Sequence, residues 1–139
     1  MPRPLILTAL AATSLLLAVS PALAGGRNSS SIALVMGSDT TTLSTATAGG
    51  PSYGDHVTFA VSTTATDRPY VTLNCHQGTN WVYAAQAGFW TGYPGGQDFN
   101  LAASSWPGGA ADCTATLGVL NADGTKFRAL ATTTFHVAA

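Results

Sequence analysis

The sequence contains no glutamate, and charged side chains make up only 8% of its 139 residues. Five Lys and Arg stand against six Asp, for a net charge of −1. The four basic residues beyond the N-terminal segment (Arg27, Arg68, Lys126, Arg128) are scattered. That leaves no basic patch for nucleic acid and no charge run for an anionic membrane or a polyelectrolyte. Paired-carboxylate glycoside chemistry would have to come from Asp alone, and Asp98 and Asp112 are flanked by turn-forming residues. A solvent face so poor in charge must be built from Thr, Ser, Asn and Gln, and Thr-rich composition favours strands.

Other chemistry is missing as well. The two cysteines, Cys75 and Cys113, do not form a Cys-x-x-Cys motif, and two distant thiols are too few for a zinc site. The three histidines, His56, His76 and His136, show no ligand spacing. His56 opens a strand and His136 alternates against Phe135 and Val137, so both are expected to face solvent. No Asp-x-Asp or Asp-x-Asn-x-Asp run suggests calcium. Asp55 and Asp123 sit in Gly-adjacent turns, where their carboxylates can cap backbone amides. Ser, His and Asp are all present, but without a nucleophile elbow. The expectation is therefore no metal, no cofactor and no catalytic residue.

What is present begins with a leader. Met1 to Pro4 carries one basic residue, and Leu5 to Val19 is mostly Leu, Ala and Ile, with only Thr and Ser as polar interruptions. Ser20-Pro21-Ala22-Leu23-Ala24 ends in a small-x-small pattern. This reads as an export signal cut after Ala24. As a membrane anchor the run is short, since a span needs about 20 apolar residues. The expected organisation is a signal peptide over 1–24, a polar lead-in over 25–31 and one domain over 32–139. The product would be secreted or extracellular, with no membrane span in the mature chain. Two cysteines in an exported chain read as one disulfide, Cys75 to Cys113.

The domain alternates with period two and nowhere sustains a helical period. Strands are expected at Ile32 to Met36, His56 to Ser62, Tyr70 to Cys75, Trp81 to Ala87, Asp98 to Ala103, Cys113 to Leu120 and Phe127 to Val137. Thr- and Ser-rich Gly37 to Gly50 reads as a loop or a ragged edge strand. In the stretch around Cys75, Val71, Leu73 and Cys75 share a face. In the stretch around Cys113, Cys113, Ala115 and Leu117 do. Trp81 and Tyr83 fall on one side of their strand, with Val82 and Ala84 on the other. Phe127, Ala129, Ala131, Thr133, Phe135 and Val137 line one face of the last strand. Asn121-Ala122-Asp123-Gly124 closes a hairpin. The fold class is all-β, with seven to eight short strands and one disulfide.

The best functional lead is aromatic. Phe89, Trp90 and Tyr93 lie in one Gly- and Pro-flanked loop, and Trp106 lies in the next turn region. Exposed, these four form a candidate binding patch for a protein or a sugar. Packed inward, they cap one end of the core, Trp106 above all.

The order of elements resembles that of bacterial immunoglobulin-like domains over about residues 32 to 137. Tyr53-Gly54-Asp55-His56-Val57-Thr58-Phe59 is similar to their second-strand entry, and Thr134-Phe135-His136-Val137 to their closing strand. The resemblance implies a Greek-key β-sandwich serving as an exported adhesive, spacer or binding module. With the strand at Val57 as B, the two cysteines fall on C and F, neighbours in one sheet, unlike the B-to-F bridge of antibody domains. With Tyr70 to Cys75 as B, Trp81 becomes the core tryptophan of C. The functional expectation is a non-catalytic secreted or surface-exposed module that binds a protein or serves a structural role. The alternatives are a carbohydrate-binding module, or a small secreted hydrolase or inhibitor.

Overall fold

A computed structural model describes residues 29–36 and 50–139. Its described residues form seven strands: β1 (Ser30–Met36), β2 (His56–Thr63), β3 (Tyr70–Gln77), β4 (Asn80–Gly88), β5 (Phe99–Asn100), β6 (Ala111–Leu120) and β7 (Phe127–Val137). They make two antiparallel sheets, one in the order β1-β2-β5 and one in the order β4-β3-β6-β7. The expected leader, the start of the lead-in and the ragged segment over 37–49 lie outside the described residues. Ser30 and Ser31, expected in the lead-in, are paired strand residues opposite Thr63 and Ser62.

The alternation seen in the sequence is the burial pattern. Val57 and Phe59 of β2 face Val71, Leu73 and Cys75 of β3 and Cys113, Ala115 and Leu117 of β6 in one apolar core. Their neighbours Thr58, Thr72, Thr114 and Thr116 are not buried. Cys75 and Cys113 are bonded and stand opposite each other in the β3–β6 register. The bridge therefore joins adjacent strands of one sheet.

Two bulges break the period and overturn two face assignments. Cys75 pairs with Tyr83 but His76 pairs with Trp81, so Val82 is an extra residue on β4. Tyr83 consequently packs on the core, whereas Trp81 emerges on the outer face, 62% exposed. Trp81 is thus no core tryptophan. On β7, Leu117 pairs with Ala131 but Gly118 with Ala129, so Leu130 is extra. Leu130 packs against the core and Ala129 is exposed, the reverse of strict alternation. The β6–β7 hairpin turns at Gly124 with φ of 71°, a conformation that glycine adopts without steric cost.

The fifth strand is much shorter than its alternating pattern predicts. Only Phe99 and Asn100 pair with β2, opposite Val57 and His56. On one side, Leu101 N–H still donates to the Asp55 carbonyl (2.8 Å), but Ala102 N–H turns back to the Asn100 carbonyl (2.7 Å). On the other, Gln97 is drawn away, its amide Nε2 donating to the Gly88 carbonyl (3.1 Å).

Candidate functional site

Among the described residues, the short β5 leaves β2 beyond Val57 without a neighbour on one side. The side follows from the register. Asp55 bonds to Leu101, and strand hydrogen bonds in an antiparallel pair recur at every second residue. The odd-numbered residues Val57, Phe59 and Val61 therefore turn their peptide groups toward the β5 side. The even-numbered ones turn toward β1, in phase with Thr64 N–H donating to the Ser29 carbonyl. Val57 is met by Phe99. Phe59 and Val61 face a side on which no described strand lies.

The loop after β4 flanks this open edge. It starts where Phe89 N–H donates to the Pro69 carbonyl (2.8 Å). The Phe89 ring then turns inward, stacked on Phe99 with an interplanar angle of 10° and edge-on to Phe59. Trp90 turns the other way, edge-on to Tyr70 and to Tyr93 with centroids 5.0 and 4.8 Å apart. Both Trp90 and Tyr93 lie directly over Gly88, where an added β-carbon would collide with the two rings. Glycine is required at Gly88 because the rings approach the backbone this closely. Tyr93 N–H donates to the Trp90 carbonyl (3.2 Å), closing the turn.

Between the edge and the loop lie two adjoining hollows of about 400 Å³ each. Both are lined by Val61, Phe89, Trp90 and Thr91. Gln97 lines one end, where its carbonyl accepts a hydrogen bond from Thr58 Oγ1 (2.8 Å). Thr66, Asp67 and Pro69 line the other. Asp67 is the one charged side chain in either lining.

The four aromatics of the expected patch do not form one surface. Phe89 is 9% exposed and Trp106 only 2%, so both belong to the core. Trp90 and Tyr93 remain partly exposed. Trp106 also sits elsewhere, edge-on to Tyr53 and tilted against Tyr83. Its indole Nε1–H donates to the Gly109 carbonyl (3.1 Å), and its own carbonyl accepts from Tyr53 Oη (3.2 Å). Ser105, one residue earlier, donates to the Val82 carbonyl, whereas Gln97 reaches Gly88. The two loops thus hold positions six residues apart on β4, about 20 Å along an extended strand. Trp106 folds inward because the Trp-Pro-Gly-Gly turn lets the indole bond its own loop, so burial leaves no polar atom unsatisfied.

Sequence reasoning missed Phe59, Val61 and Gln97 as site residues. The one available signal was Pro94-Gly95-Gly96 immediately before the fifth strand, which cannot extend that strand backward along β2. It also missed a polar row on the outer face of the larger sheet, where Trp81, His76, Asp112 and His136 follow one another across the four strands. Trp81 meets the His76 ring edge-on at 4.5 Å, and His136 Nδ1 lies 2.8 Å from Asp112 Oδ1. The His136 and Asp112 side chains are 63% and 86% exposed, a pair held in water rather than in a cleft. Among the described residues, no three His, Cys or Asp side chains converge as a metal site, and no helix is long and apolar enough to cross a membrane.

No family model, no curated protein and no solved structure matches this chain.

Proposed function

We propose that this chain is an exported, non-catalytic binding module with an immunoglobulin-like Greek-key arrangement. The strand order supports the arrangement. With β2 as B, β3 as C, β4 as C′, β5 as E, β6 as F and β7 as G, the two sheets read A-B-E and C′-C-F-G. The leader over 1–24 and a disulfide in a chain of few charges support export. The observation that carries the binding role is the open edge of β2 beside Trp90. It combines aromatic surface, backbone without a partner among the described residues, and concave space in one place. A protein partner fits it best. The His136–Asp112 pair stands open on the outer face, 63% and 86% exposed, rather than in a cleft, which favours a binding role over a catalytic one.

A second reading has its own observation. Trp81, exposed on the outer face beside His76, offers a platform on which a sugar ring can stack.

One set of experiments tests both. Produced in an exporting host, the protein is expected in the medium with Gly25 as its first residue; retention inside the cell with Met1 intact overturns export. Screened against a random peptide library and a glycan array, the wild type is expected to select peptides that Trp90→Ala no longer holds. Glycan binding lost in Trp81→Ala favours the second reading. Binding to neither overturns the module.

A further inference from the structure

We infer that the open edge of β2 binds an extended peptide as an added strand, seated between Gln97 and Asp67. The inference rests on the binding-module reading and names its ligand class. The backbone specifies the occupant. Phe59 and Val61 each turn one N–H and one C=O toward the open side, at the two-residue repeat of a strand, about 6.7 Å. Only another extended backbone meets both pairs at once, which is the mode by which peptides join exposed sheet edges.

The side chains specify its pattern. Residues opposite one another on neighbouring strands point to the same face. Phe59 and Val61 point inward, so the peptide residues facing them also point inward, over Phe89 and Trp90. These positions call for apolar side chains at i and i+2. The residues between them point to solvent and can be polar. The hollow between Gln97 and Asp67 runs along β2 from Phe59 to Thr63, which sets the peptide length at about five or six residues.

Charge complementarity chooses between a peptide of another protein and a second copy of this chain. The groove has one carboxylate, Asp67, and no cation. A ligand with Lys or Arg at the end beside Asp67 complements it. The β2 strand of a second copy, His-Val-Thr-Phe-Ala-Val-Ser-Thr, contributes neither Lys nor Arg.

The test uses a capped hexapeptide, Val-Thr-Val-Thr-Val-Lys, added to the full mature protein. Amide hydrogen exchange at Phe59 and Val61 is expected to slow at least 10-fold on saturation, with little change at Ala60 and Ser62, already paired to β1. N-methylating the peptide amides that face the edge should abolish the protection, whereas N-methylating the alternate amides should leave it. Asp67→Asn should weaken binding of this peptide several-fold, but not that of its Lys→Gln analogue. Peptide binding without protection at Phe59 and Val61 overturns the added strand while leaving the binding module standing. Protection that appears without peptide and grows with protein concentration assigns the edge to self-association and also overturns the inference. No binding of the hexapeptide, with the library still selecting other peptides lost in Trp90→Ala, overturns the stated pattern alone. A library and array that select nothing overturn the module itself.

Discussion

Cys75 and Cys113 stand directly opposite each other on neighbouring strands, their Cα atoms 4.1 Å apart and both side chains at most 1% exposed. The bond therefore links two strands already paired, and closes a loop of 38 positions that contains β4, β5 and the aromatic loop. Its contribution lies mainly in the unfolded chain, whose freedom it removes. The double variant Cys75→Ala/Cys113→Ala is expected to lose about 4 kcal/mol, the chain-entropy value for such a loop, in urea unfolding. A midpoint equal to that of the wild type would show that the bridge adds nothing.

The three tryptophans should respond very differently to solvent. Trp106 is buried and Trp81 is 62% exposed, with Trp90 between them. In variants retaining one tryptophan each, acrylamide quenching should rank Trp81 above Trp90 above Trp106. Trp106→Ala should cost about 3–5 kcal/mol as a core truncation. Tyr53→Phe, which removes only the hydroxyl bond to the Trp106 carbonyl, should cost about 1 kcal/mol. Equal quenching of Trp106 and Trp81 would refute the inward turn.

Gly88→Ala tests the shape of the groove. The new methyl collides with the Trp90 and Tyr93 rings, so they must lift from the backbone. Overpacking of this kind costs about 1–3 kcal/mol. The expected signature is a red-shifted, more quenchable Trp90 with weaker near-ultraviolet circular dichroism. An unperturbed Trp90 spectrum in a folded Gly88→Ala protein would contradict the close approach.

The β6–β7 turn has a built-in acid response. Asp123 accepts hydrogen bonds from the Thr125 hydroxyl (2.6 Å) and the Thr125 amide (3.0 Å). The hydroxyl bond first, then the amide bond, holds the carboxyl below its ordinary value. A carboxyl with a depressed folded pKa stabilises the fold above its unfolded pKa, and that contribution is lost as pH falls through the folded value. An NMR titration of the Asp123 carboxyl should therefore show a midpoint below the usual aspartate range. Thr125→Ala should move it part of the way back up, because the amide bond survives. No movement in that variant would remove the hydroxyl as the leading cause.

Much of the fold was legible because β structure writes itself with period two. Val57 and Phe59, or Val71, Leu73 and Cys75, could be assigned to the core from their spacing alone. The hairpin at Asp123-Gly124 was legible because few residues tolerate that backbone. Trp81 and Leu130 were not legible. Each depends on a single extra residue in one strand, and a bulge leaves no mark until the partner's register is known. Trp106 was ambiguous for a related reason. An indole beside Pro-Gly-Gly can point either way until the partners of its N–H and its rings are in place.

The candidate site divides along the same line. Local sequence determined that Phe89 to Tyr93 is an aromatic turn flanked by glycine, and that a strand with Phe59 and Val61 on one face precedes it. Both follow from short-range sterics and from alternation along one chain. Which edge of the sheet lacks a partner among the described residues was decided only in three dimensions. It depends on β5 stopping after two paired residues, on Gln97 bonding to Gly88, and on the odd or even phase of hydrogen bonds along β2. Those are relations between segments distant in the chain. Backbone polar groups find their partners through the whole topology, so a missing partner is visible only once every other strand has been placed.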